Sequence, residues 1–312
     1  MSKKETAIDY IASIEKRLSS LYNDPTLCRQ YAWWILQEIV GQKKEQLIIK
    51  ESLILTEKQE KKLEEWLDKL INEKMPLQYL IGSVPFNDIE LFIKSPVLIP
   101  RPETEEWILD LIDKLKKLPK QELLILDIGT GSGVIALALA HALPQAHIYA
   151  VDISDEALSL AQKNANHNNI QNVTFIKSDI YNAIASELRF DLIVSNPPYI
   201  THEEYTELEE SVARWEDKRA LVADNMGLAI IITIIEKACQ YMKKNNDIEK
   251  AYMGNLYIEI GYKQADVVSE LMRKYNFVDI KVHKDLQRKD RVVSGRVDSC
   301  GHCRDIKKSM SP

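Results

Sequence analysis

The chain has 312 residues, of which 45% are hydrophobic and 28% charged, a composition that excludes a wholly disordered protein and allows two folded domains. Its formal net charge of -6 argues against a surface that holds nucleic acid mainly through phosphate contacts, so we expect no stable nucleic-acid partner. The sequence shows neither a secretory signal nor an apolar run of bilayer length. We therefore expect a cytoplasmic protein without a membrane partner.

Helical spacing dominates residues 1–76. Apolar side chains recur at three- and four-residue steps, as one face of a helix requires, at Ile8, Ile11, Ile14, Leu18 and Leu21. Thr56 and Gln59 form a capping-box pattern before a further apolar face that ends at Pro76. These patterns predict a small N-terminal helical bundle.

The pattern changes between residues 77 and 103. Asn87 and Asp88 are typical of a turn, and a continuous helix is excluded by Pro85, Pro96, Pro100 and Pro102. The segment therefore predicts a β-hairpin that links two domains. Thr104 is expected to cap the following helix, whose first turn carries Glu105 and Glu106.

After Gln121 the sequence alternates apolar runs with helical segments. Four runs are apolar on consecutive positions, as strands covered on both faces require, and they lie at 123–126, 148–151, 173–176 and 192–194. Further strands are expected at 256–260, 278–282 and 291–295. Helices are expected at 134–143, 155–166 and 228–241. Residues 104–296 are thus predicted to form an α/β domain with a Rossmann-like, doubly wound sheet, whose ligand lies across the carboxyl ends of the strands.

A glycine-rich turn leaves the first of these strands and enters a helix. Its glycines let the backbone turn sharply and approach a ligand closely, in the run Asp127, Ile128, Gly129, Thr130, Gly131, Ser132, Gly133. Val134 stands where a dinucleotide fingerprint requires glycine or alanine, and no Gly-Lys-Ser/Thr of a phosphate loop follows. The spacing therefore favours a cofactor bound without a pyrophosphate cradle.

Acidic residues end the next two strands. Asp152 can accept hydrogen bonds from both hydroxyls of a ribose, and Asp179 can accept from the exocyclic amine of adenine while Ile180 covers the ring. Each aspartate taken alone is more often a helix cap or a turn residue. Suitable groups at three consecutive strand ends favour a cofactor that contains adenosine.

The tetrapeptide Asn196, Pro197, Pro198, Tyr199 follows the fourth strand. Two prolines make the segment rigid and remove two amide donors, while their carbonyls remain acceptors. If the Asn196 side-chain oxygen and the Pro197 carbonyl both accept from a substrate NH2, they aim its nitrogen lone pair at the methyl group of a cofactor. Tyr199 is expected to supply a flat wall for a planar amide or base. In isolation the tetrapeptide fits a turn equally well, but its place at the ligand edge favours a catalytic site.

Four cysteines are present. Cys28 and Cys239 lie alone in helical sequence, where apolar packing is expected. Cys300 and Cys303 form a pair without a second pair that would complete a zinc site, so we expect no metal and a flexible tail over residues 297–312.

At this point the sequence resembles the peptide chain release factor N5-glutamine methyltransferase family. The similar segments are 76–82, 98–105, the glycine-rich turn, 195–200, Glu259-Ile260-Gly261 with Gln264, and Asp290-Arg291-Val292. The resemblance implies a class I S-adenosylmethionine (AdoMet)-dependent methyltransferase fold. It also implies methyl transfer to the side-chain nitrogen of the glutamine in the Gly-Gly-Gln motif of class-1 release factors, with S-adenosylhomocysteine as product.

The resemblance also implies roles for particular parts of the chain. The helical domain would help to dock the release factor, and we expect a monomer. The residues that would contact AdoMet are Gly129, Thr130, Gly131, Ser132, Gly133, Asp152, Asp179, Ile180 and Asn196. The catalytic residues would be Asn196, Pro197 and Tyr199, and Pro198 would join them in holding the glutamine.

One departure and three alternatives remain. Asp217 stands where the family usually has proline, and we expect it to loosen the substrate-side loop. A ribosomal-protein glutamine methyltransferase would have a similar architecture, although Arg101-Pro102-Glu103-Thr104 favours the release-factor branch. A DNA amino-methyltransferase acting on adenine uses the same tetrapeptide but generally needs a target-recognition region and positive charge. A catalytically silent binding module would not need the glycines, Asp152 and Asn196 together.

Overall fold

The computed structural model describes residues 5–118, 122–243 and 256–297. Their contacts form two compact units, one of residues up to 83 with 209–215, the other of residues 84–208 and those from 216 onward. Val297, the first residue of the predicted tail, is instead the last residue of a strand, and the rest of that tail, with Cys300 and Cys303, lies outside the described residues. Within the described ranges, no helix is long and apolar enough to cross a membrane.

The first unit is helical. Its helices are α1 (Ala7–Leu18), α2 (Pro25–Val40), α3 (Lys44–Ile48), α4 (Glu57–Ile71), α5 (Leu77–Ile81) and α10 (Glu210–Trp215). The predicted capping box is confirmed, because Thr56 caps α4 and the Gln59 side chain accepts from the Thr56 N–H at 2.9 Å. Ile11, Ile14 and Leu18 are buried in the core of this unit, whereas Ile8 is 49% exposed and was wrongly placed on the apolar face.

Only part of the segment predicted as a hairpin forms strands. Residues 77–81 form α5, and the strands β1 (Ser83–Phe86) and β2 (Ile89–Phe92) pair around the expected turn. The following helix α6 (Pro102–Lys116) begins at Pro102 with Arg101 at its N-cap. The prediction that Thr104 caps this helix is therefore wrong. Proline has no N–H to satisfy and its fixed φ suits the first helical position, so the helix starts three residues earlier than predicted.

The second unit contains the predicted seven-stranded sheet, in the order β5-β4-β3-β6-β7-β9-β8. Its strands are β3 (Leu124–Ile128), β4 (His147–Asp152), β5 (Val173–Lys177), β6 (Leu192–Ser195), β7 (Leu256–Glu259), β8 (Phe277–Lys284) and β9 (Asp290–Val297). Neighbouring strands from β5 to β7 in this order are parallel, and β9 runs antiparallel between β7 and β8. The order reverses at β3, which places a ligand crevice beyond the carboxyl ends of β3, β4 and β6.

Helices cover both faces of this sheet. They are α6, α7 (Val134–Ala142), α8 (Asp155–His167), α9 (His202–Tyr205), α11 (Lys218–Leu221), α12 (Asp224–Gly227), α13 (Ala229–Tyr241) and α14 (Ala265–Lys274). One apolar core contains α6 and α7, and another contains α13 and α14. Burial on both faces explains why the central strands are apolar at consecutive positions. The rigid sheet fixes the strand ends that carry the site.

Candidate active site

A cavity of about 310 Å³ lies at the carboxyl ends of the parallel strands. It brings together the ends of β3, β4, β5 and β6, as the topology requires. The lining residues predicted from the sequence are Gly129, Gly131, Asp152, Asp179, Ile180, Asn196, Pro197 and Pro198. Thr130, Ser132, Gly133 and Tyr199 are not among the lining residues, and their predicted ligand contacts remain predictions.

The glycine-rich turn has the backbone that its sequence predicts. Gly129 and Gly131 have φ values of 74° and 57°, a conformation that residues with a Cβ rarely adopt. A Cβ added at Gly131 would meet no protein atom within 4 Å, so that side of the turn is open to a ligand. At Gly133 an added Cβ would come within 3.0 Å of the Ala161 Cβ, so Gly133 allows α7 and α8 to pack closely.

The two hydroxyl-bearing residues of the turn are buried. Thr130 and Ser132 are 3% and 2% exposed. The Thr130 hydroxyl donates to Asp127 Oδ2 at 2.7 Å, and the Ser132 carbonyl accepts from Asn164 at 2.9 Å. These contacts hold the shape of the turn from behind, which the sequence spacing alone did not reveal.

Asp127 is the buried carboxylate beneath the turn. Its Oδ2 accepts from Thr130 Oγ1 and from the Ala136 N–H, while its buried Oδ1 has no hydrogen-bond partner among the described residues. Burial raises the pKa of Asp127 to about 7, and its hydrogen bonds oppose this rise. The group is therefore poised between its neutral and charged forms near physiological pH.

Asp152 occupies the end of β4 and lines the cavity. Its Oδ2 accepts from the Gly131 N–H at 2.8 Å and its Oδ1 from the Ser154 N–H at 2.9 Å. Burial raises the pKa of Asp152, and the backbone N–H groups of Ser154, Gly131 and Ile153 oppose that rise. The side chain is thus held in one orientation before any ligand arrives.

Asp179 and Ile180 follow β5 on the adjoining wall of the cavity. Asp179 is exposed, and Asn182 donates to its Oδ2 at 3.3 Å. Ile180 has a positive φ of 53°, which is uncommon for a β-branched residue. Strain of this kind persists where the surrounding structure fixes it, often at a ligand site.

The tetrapeptide begins directly after β6. Ser195 anchors it, because its hydroxyl donates to the Ile128 carbonyl of the neighbouring strand at 2.7 Å. The Asn196 side-chain NH2 donates to Thr104 Oγ1 at 3.2 Å. Among the described residues, no donor reaches Asn196 Oδ1 or the Pro197 carbonyl. Two acceptors on the cavity wall are therefore available to a ligand NH2.

Tyr199 is held from the far side of the tetrapeptide. The Gln264 side chain accepts from the Gly261 N–H at 2.9 Å and donates to the carbonyl of Tyr199 at 3.1 Å. Burial raises the pKa of the Tyr199 hydroxyl to about 12, so the ring stays neutral. Tyr199 also packs against the second apolar core, and its role as a flat wall for the substrate stays a prediction.

The loop that carries Asp217 is anchored by hydrogen bonds, and the effect of Asp217 on its mobility stays a prediction. The Asp217 N–H donates to the Pro96 carbonyl at 2.8 Å, a bond that proline could not make. Its carboxylate caps α11 and pairs with Arg219 at 2.6 Å. Beside it, the buried carboxylate of Glu216 pairs with Arg101, also at 2.6 Å.

Several residues of the site were missed by sequence reasoning. Pro96, Val97 and Leu98 form a wall of the cavity opposite the strand ends, and Arg219 lines it through the loop just described. Their only sequence signal is the similar segment at 98–105, which covers Leu98 alone. Contacts over about a hundred positions, such as Asp217 with Pro96, follow from tertiary structure and not from local pattern.

The sheet order, the glycine-rich turn and the acceptors at the end of β6 define a class I AdoMet-dependent methyltransferase. Comparison with known families supports this class: residues 110–217 match the methyltransferase small domain, and residues 9–82 match the PrmC N-terminal domain.

Curated relatives narrow the class to one family. A release factor glutamine methyltransferase of Lactococcus lactis is 42% identical over 238 residues, which are 76% of this chain and 83% of the relative. One of Flavobacterium psychrophilum is 36% identical over 291 residues, 91% of this chain and 97% of the relative. One of Streptococcus pneumoniae is 44% identical over 222 residues, 71% of this chain and 74% of the relative. The chain belongs to the release factor glutamine methyltransferase family.

Proposed function

We propose that this protein transfers a methyl group from AdoMet to the side-chain amide nitrogen of the glutamine in the Gly-Gly-Gln motif of class-1 release factors. The observation that carries this proposal is a pair of acceptors, Asn196 Oδ1 and the Pro197 carbonyl, which belong to residues that line one cavity and receive no donor from the described residues. The names of the relatives from Lactococcus lactis and Flavobacterium psychrophilum support the choice of substrate.

The chemistry of the cavity suits AdoMet. Asp152 offers two oriented carboxylate oxygens to the ribose, and Asp179 lies where an adenine amine would need an acceptor. Apolar contacts to the adenine and the methionine chain are available from Val97, Ile128 and Ile180. When bound, AdoMet supplies an electrophilic methyl group on a sulfonium sulfur.

Asn196 and Pro197 hold the acceptor nitrogen in our proposal. Each accepts one hydrogen of the glutamine NH2, so that the nitrogen lone pair points at the methyl carbon. The lone pair forms the N–C bond, the electrons of the C–S bond return to sulfur, and one N–H proton leaves to solvent. A rigid, largely apolar site contributes by orientation and exclusion of water, because amide nitrogen is a weak nucleophile.

A planar NH2 also occurs on adenine and on glutamines of other proteins. The two acceptors alone therefore fit three substrate classes: a release factor, another protein with a glutamine, and DNA. The acidic charge of -6 disfavours duplex DNA. The N-terminal helical unit matches the PrmC N-terminal domain, and the Flavobacterium psychrophilum relative, which aligns over 91% of this chain, carries the release-factor name. We propose that this unit, residues 1–76 in the sequence prediction, docks the release factor, and that the protein acts as a cytoplasmic monomer.

A side-by-side methylation assay tests the proposal. Purified protein with labelled AdoMet is offered an unmodified class-1 release factor, ribosomal proteins and adenine-containing DNA. We expect a single added methyl on the Gly-Gly-Gln glutamine, located by mass spectrometry. Label on DNA or on a ribosomal protein, with none on the release factor, would replace the substrate.

Asn196→Ala tests the site itself. We expect kcat to fall about a hundredfold or more, because the amide loses an orienting acceptor, while AdoMet binding stays within about threefold. Asn166→Ala is a matched control, because Asn166 lies exposed on α8 and outside the cavity lining. Equal activity of Asn196→Ala and Asn166→Ala would show that the Asn196 side chain is not needed for catalysis.

A further inference from the structure

Glu259 is a carboxylate buried beside the tetrapeptide. It is the last residue of β7, is 1% exposed, and does not line the cavity. Placing a carboxylate away from water costs several kcal/mol unless hydrogen bonds compensate. Its Oε2 accepts from the Trp107 indole N–H at 2.8 Å and from the Thr104 hydroxyl at 2.7 Å. Both donors belong to α6, far away in sequence.

These contacts determine which group donates in each hydrogen bond that links Glu259, Thr104 and Asn196. An indole N–H can only donate and an ionised carboxylate can only accept, so Oε2 of an ionised Glu259 accepts from both Trp107 and Thr104. The single proton of Thr104 is then directed to Glu259, which leaves the hydroxyl oxygen to accept from its other neighbour. That neighbour is the Asn196 side chain at 3.2 Å, which must therefore present its NH2 and not its oxygen.

We propose that Thr104 and Glu259 are positioning residues that hold the Asn196 amide in one of its two flip states. In this state Oδ1 faces away from Thr104 and is available to the substrate NH2. A half-turn about the last side-chain bond would present a second NH2 to the substrate, which is a donor facing a donor. The inference rests on the proposed function, because it concerns the orientation of the same acceptor.

The network has no other evident task in the cavity. Thr104 does not cap α6, because the helix begins at Pro102. The residue is 1% exposed, and among the described residues its hydroxyl makes only the bonds to Glu259 and Asn196. In an amide, oxygen and nitrogen have nearly the same size, so packing alone discriminates poorly between the two flip states. The Thr104 hydroxyl, whose proton is donated to Glu259, can only accept from Asn196 and therefore favours the flip state that presents the NH2.

Thr104→Val and Thr104→Ser test the proposal in the full-length protein. Valine keeps the shape and removes the hydroxyl, so we expect kcat on the release factor to fall roughly 10- to 100-fold. KM for the release factor and Kd for AdoMet should stay within about threefold, since most binding comes from other contacts. Serine restores the hydroxyl and should recover kcat to within about threefold of the wild type.

Glu259→Leu provides a second variant if the valine protein folds poorly, because it removes the acceptor that directs the Thr104 proton, and kcat should fall as it does for Thr104→Val. Glu259→Gln is the conservative rescue: its carbonyl still accepts from Trp107 and Thr104, so it should restore kcat to within about threefold. Thr174→Val is a matched control, because Thr174 Oγ1 bonds His147 at 2.8 Å and neither residue lines the cavity. It should leave kcat unchanged.

Three results would overturn the inference. Thr104→Val could retain full kcat, serine could fail to recover it, or Glu259→Gln could lose as much activity as the valine variant. Equal losses in kcat and in AdoMet affinity would assign Thr104 a merely structural role. A wild-type protein inactive on the release factor would instead overturn the proposed function, and the inference with it.

Discussion

Asp127 illustrates how a single side chain can couple the cofactor turn to pH. It is completely buried, and one of its two oxygens has no partner among the described residues. Burial raises its pKa from 3.8 to about 7, so in the folded protein the carboxyl stays neutral up to a higher pH. In the unfolded chain the same carboxyl ionises well below pH 7.

This difference predicts a loss of stability with rising pH. Because the folded pKa lies above the unfolded value, the contribution of Asp127 is complete below pH 4 and is lost as pH rises through about 7. The total loss is about 4 kcal/mol, because each tenfold change in an acid dissociation constant corresponds to about 1.4 kcal/mol. Denaturant titrations of the wild type and of Asp127→Asn at pH 4 to 8 measure it.

The asparagine variant should lack this slope, since its amide does not titrate in the range. Its carbonyl can still accept from Thr130 and Ala136. Parallel stability curves for the two proteins would show that Asp127 is either solvated or already paired in solution.

Residue types at strand ends were sufficient to predict much of the cavity. Asp152, Asp179 and Asn196 were placed there because strand ends of a parallel sheet meet at one edge, and the structure brings them to one cavity. Thr104 and Glu259 were not foreseen as partners of Asn196. Their contact depends on the way in which α6 packs against β7, over 155 positions of sequence, and no local pattern encodes such a distance.

At the scale of elements, the short segment α12, whose residues Asn225 and Met226 have non-helical backbone angles, contacts the tetrapeptide. Asn225, Met226 and Gly227 all have positive φ values, between 55° and 78°. The chain there approaches the tetrapeptide so closely that a Cβ on Gly227 would lie 2.1 Å from the Tyr199 carbonyl oxygen. Gln264 donates to the carbonyls of both Tyr199 and Met226 and so joins the two segments.

Gly227→Ala should therefore displace the tetrapeptide. We expect kcat to fall about a hundredfold, because a shift of an ångström at the acceptors is enough for such a loss. AdoMet affinity should change little, since Asp152 and the glycine-rich turn do not contact this glycine. Methylation kinetics and cofactor titration on the same preparation measure the two effects.

Gly41→Ala is the matched control for backbone strain. Gly41 has a φ of 72° at the end of α2, and an added Cβ would meet nothing within 4 Å. It should lose about 1 kcal/mol of stability with no change in kcat. If both variants lost activity equally, strain and not the contact with Tyr199 would explain the effect.

Most helices and strands were predictable because the pattern of apolar residues that marks them lies within the element itself. The wrong assignments also have local causes. The expected strands and helices match those of the described sheet to within a few residues at each end. Residues 77–81 were assigned to a hairpin, yet they form α5, ended by Gly82 at a φ of 88°. A helix of this length carries too few periodic positions to be distinguished from an extended run.

On the scale of the whole molecule, the cofactor cavity belongs to one of the two compact units. All its lining residues lie within 84–208 or from 216 onward. The other unit has its own apolar core, built on Leu18, Leu36 and Leu70, and includes α10, whose Trp215 indole donates to the Glu73 carbonyl at 3.0 Å. Separate cores are the property that allows parts of a chain to open independently.

This division predicts where AdoMet should stabilise the protein. A ligand that binds only the folded form adds about 2.7 kcal/mol at a hundredfold excess over its Kd. If the units open independently, amide hydrogen exchange should slow across the seven-stranded sheet and at the strand ends. Exchange in α1, α2 and α4 should stay within about twofold of its rate without cofactor.

Hydrogen-exchange mass spectrometry with and without AdoMet measures this pattern, and Asp152→Asn is the control. Asp152 supplies the oriented carboxylate of the proposed ribose site, so the variant should show little slowing anywhere at the same AdoMet concentration. Equal slowing in the helical unit and in the sheet would mean that the whole chain unfolds as one cooperative body.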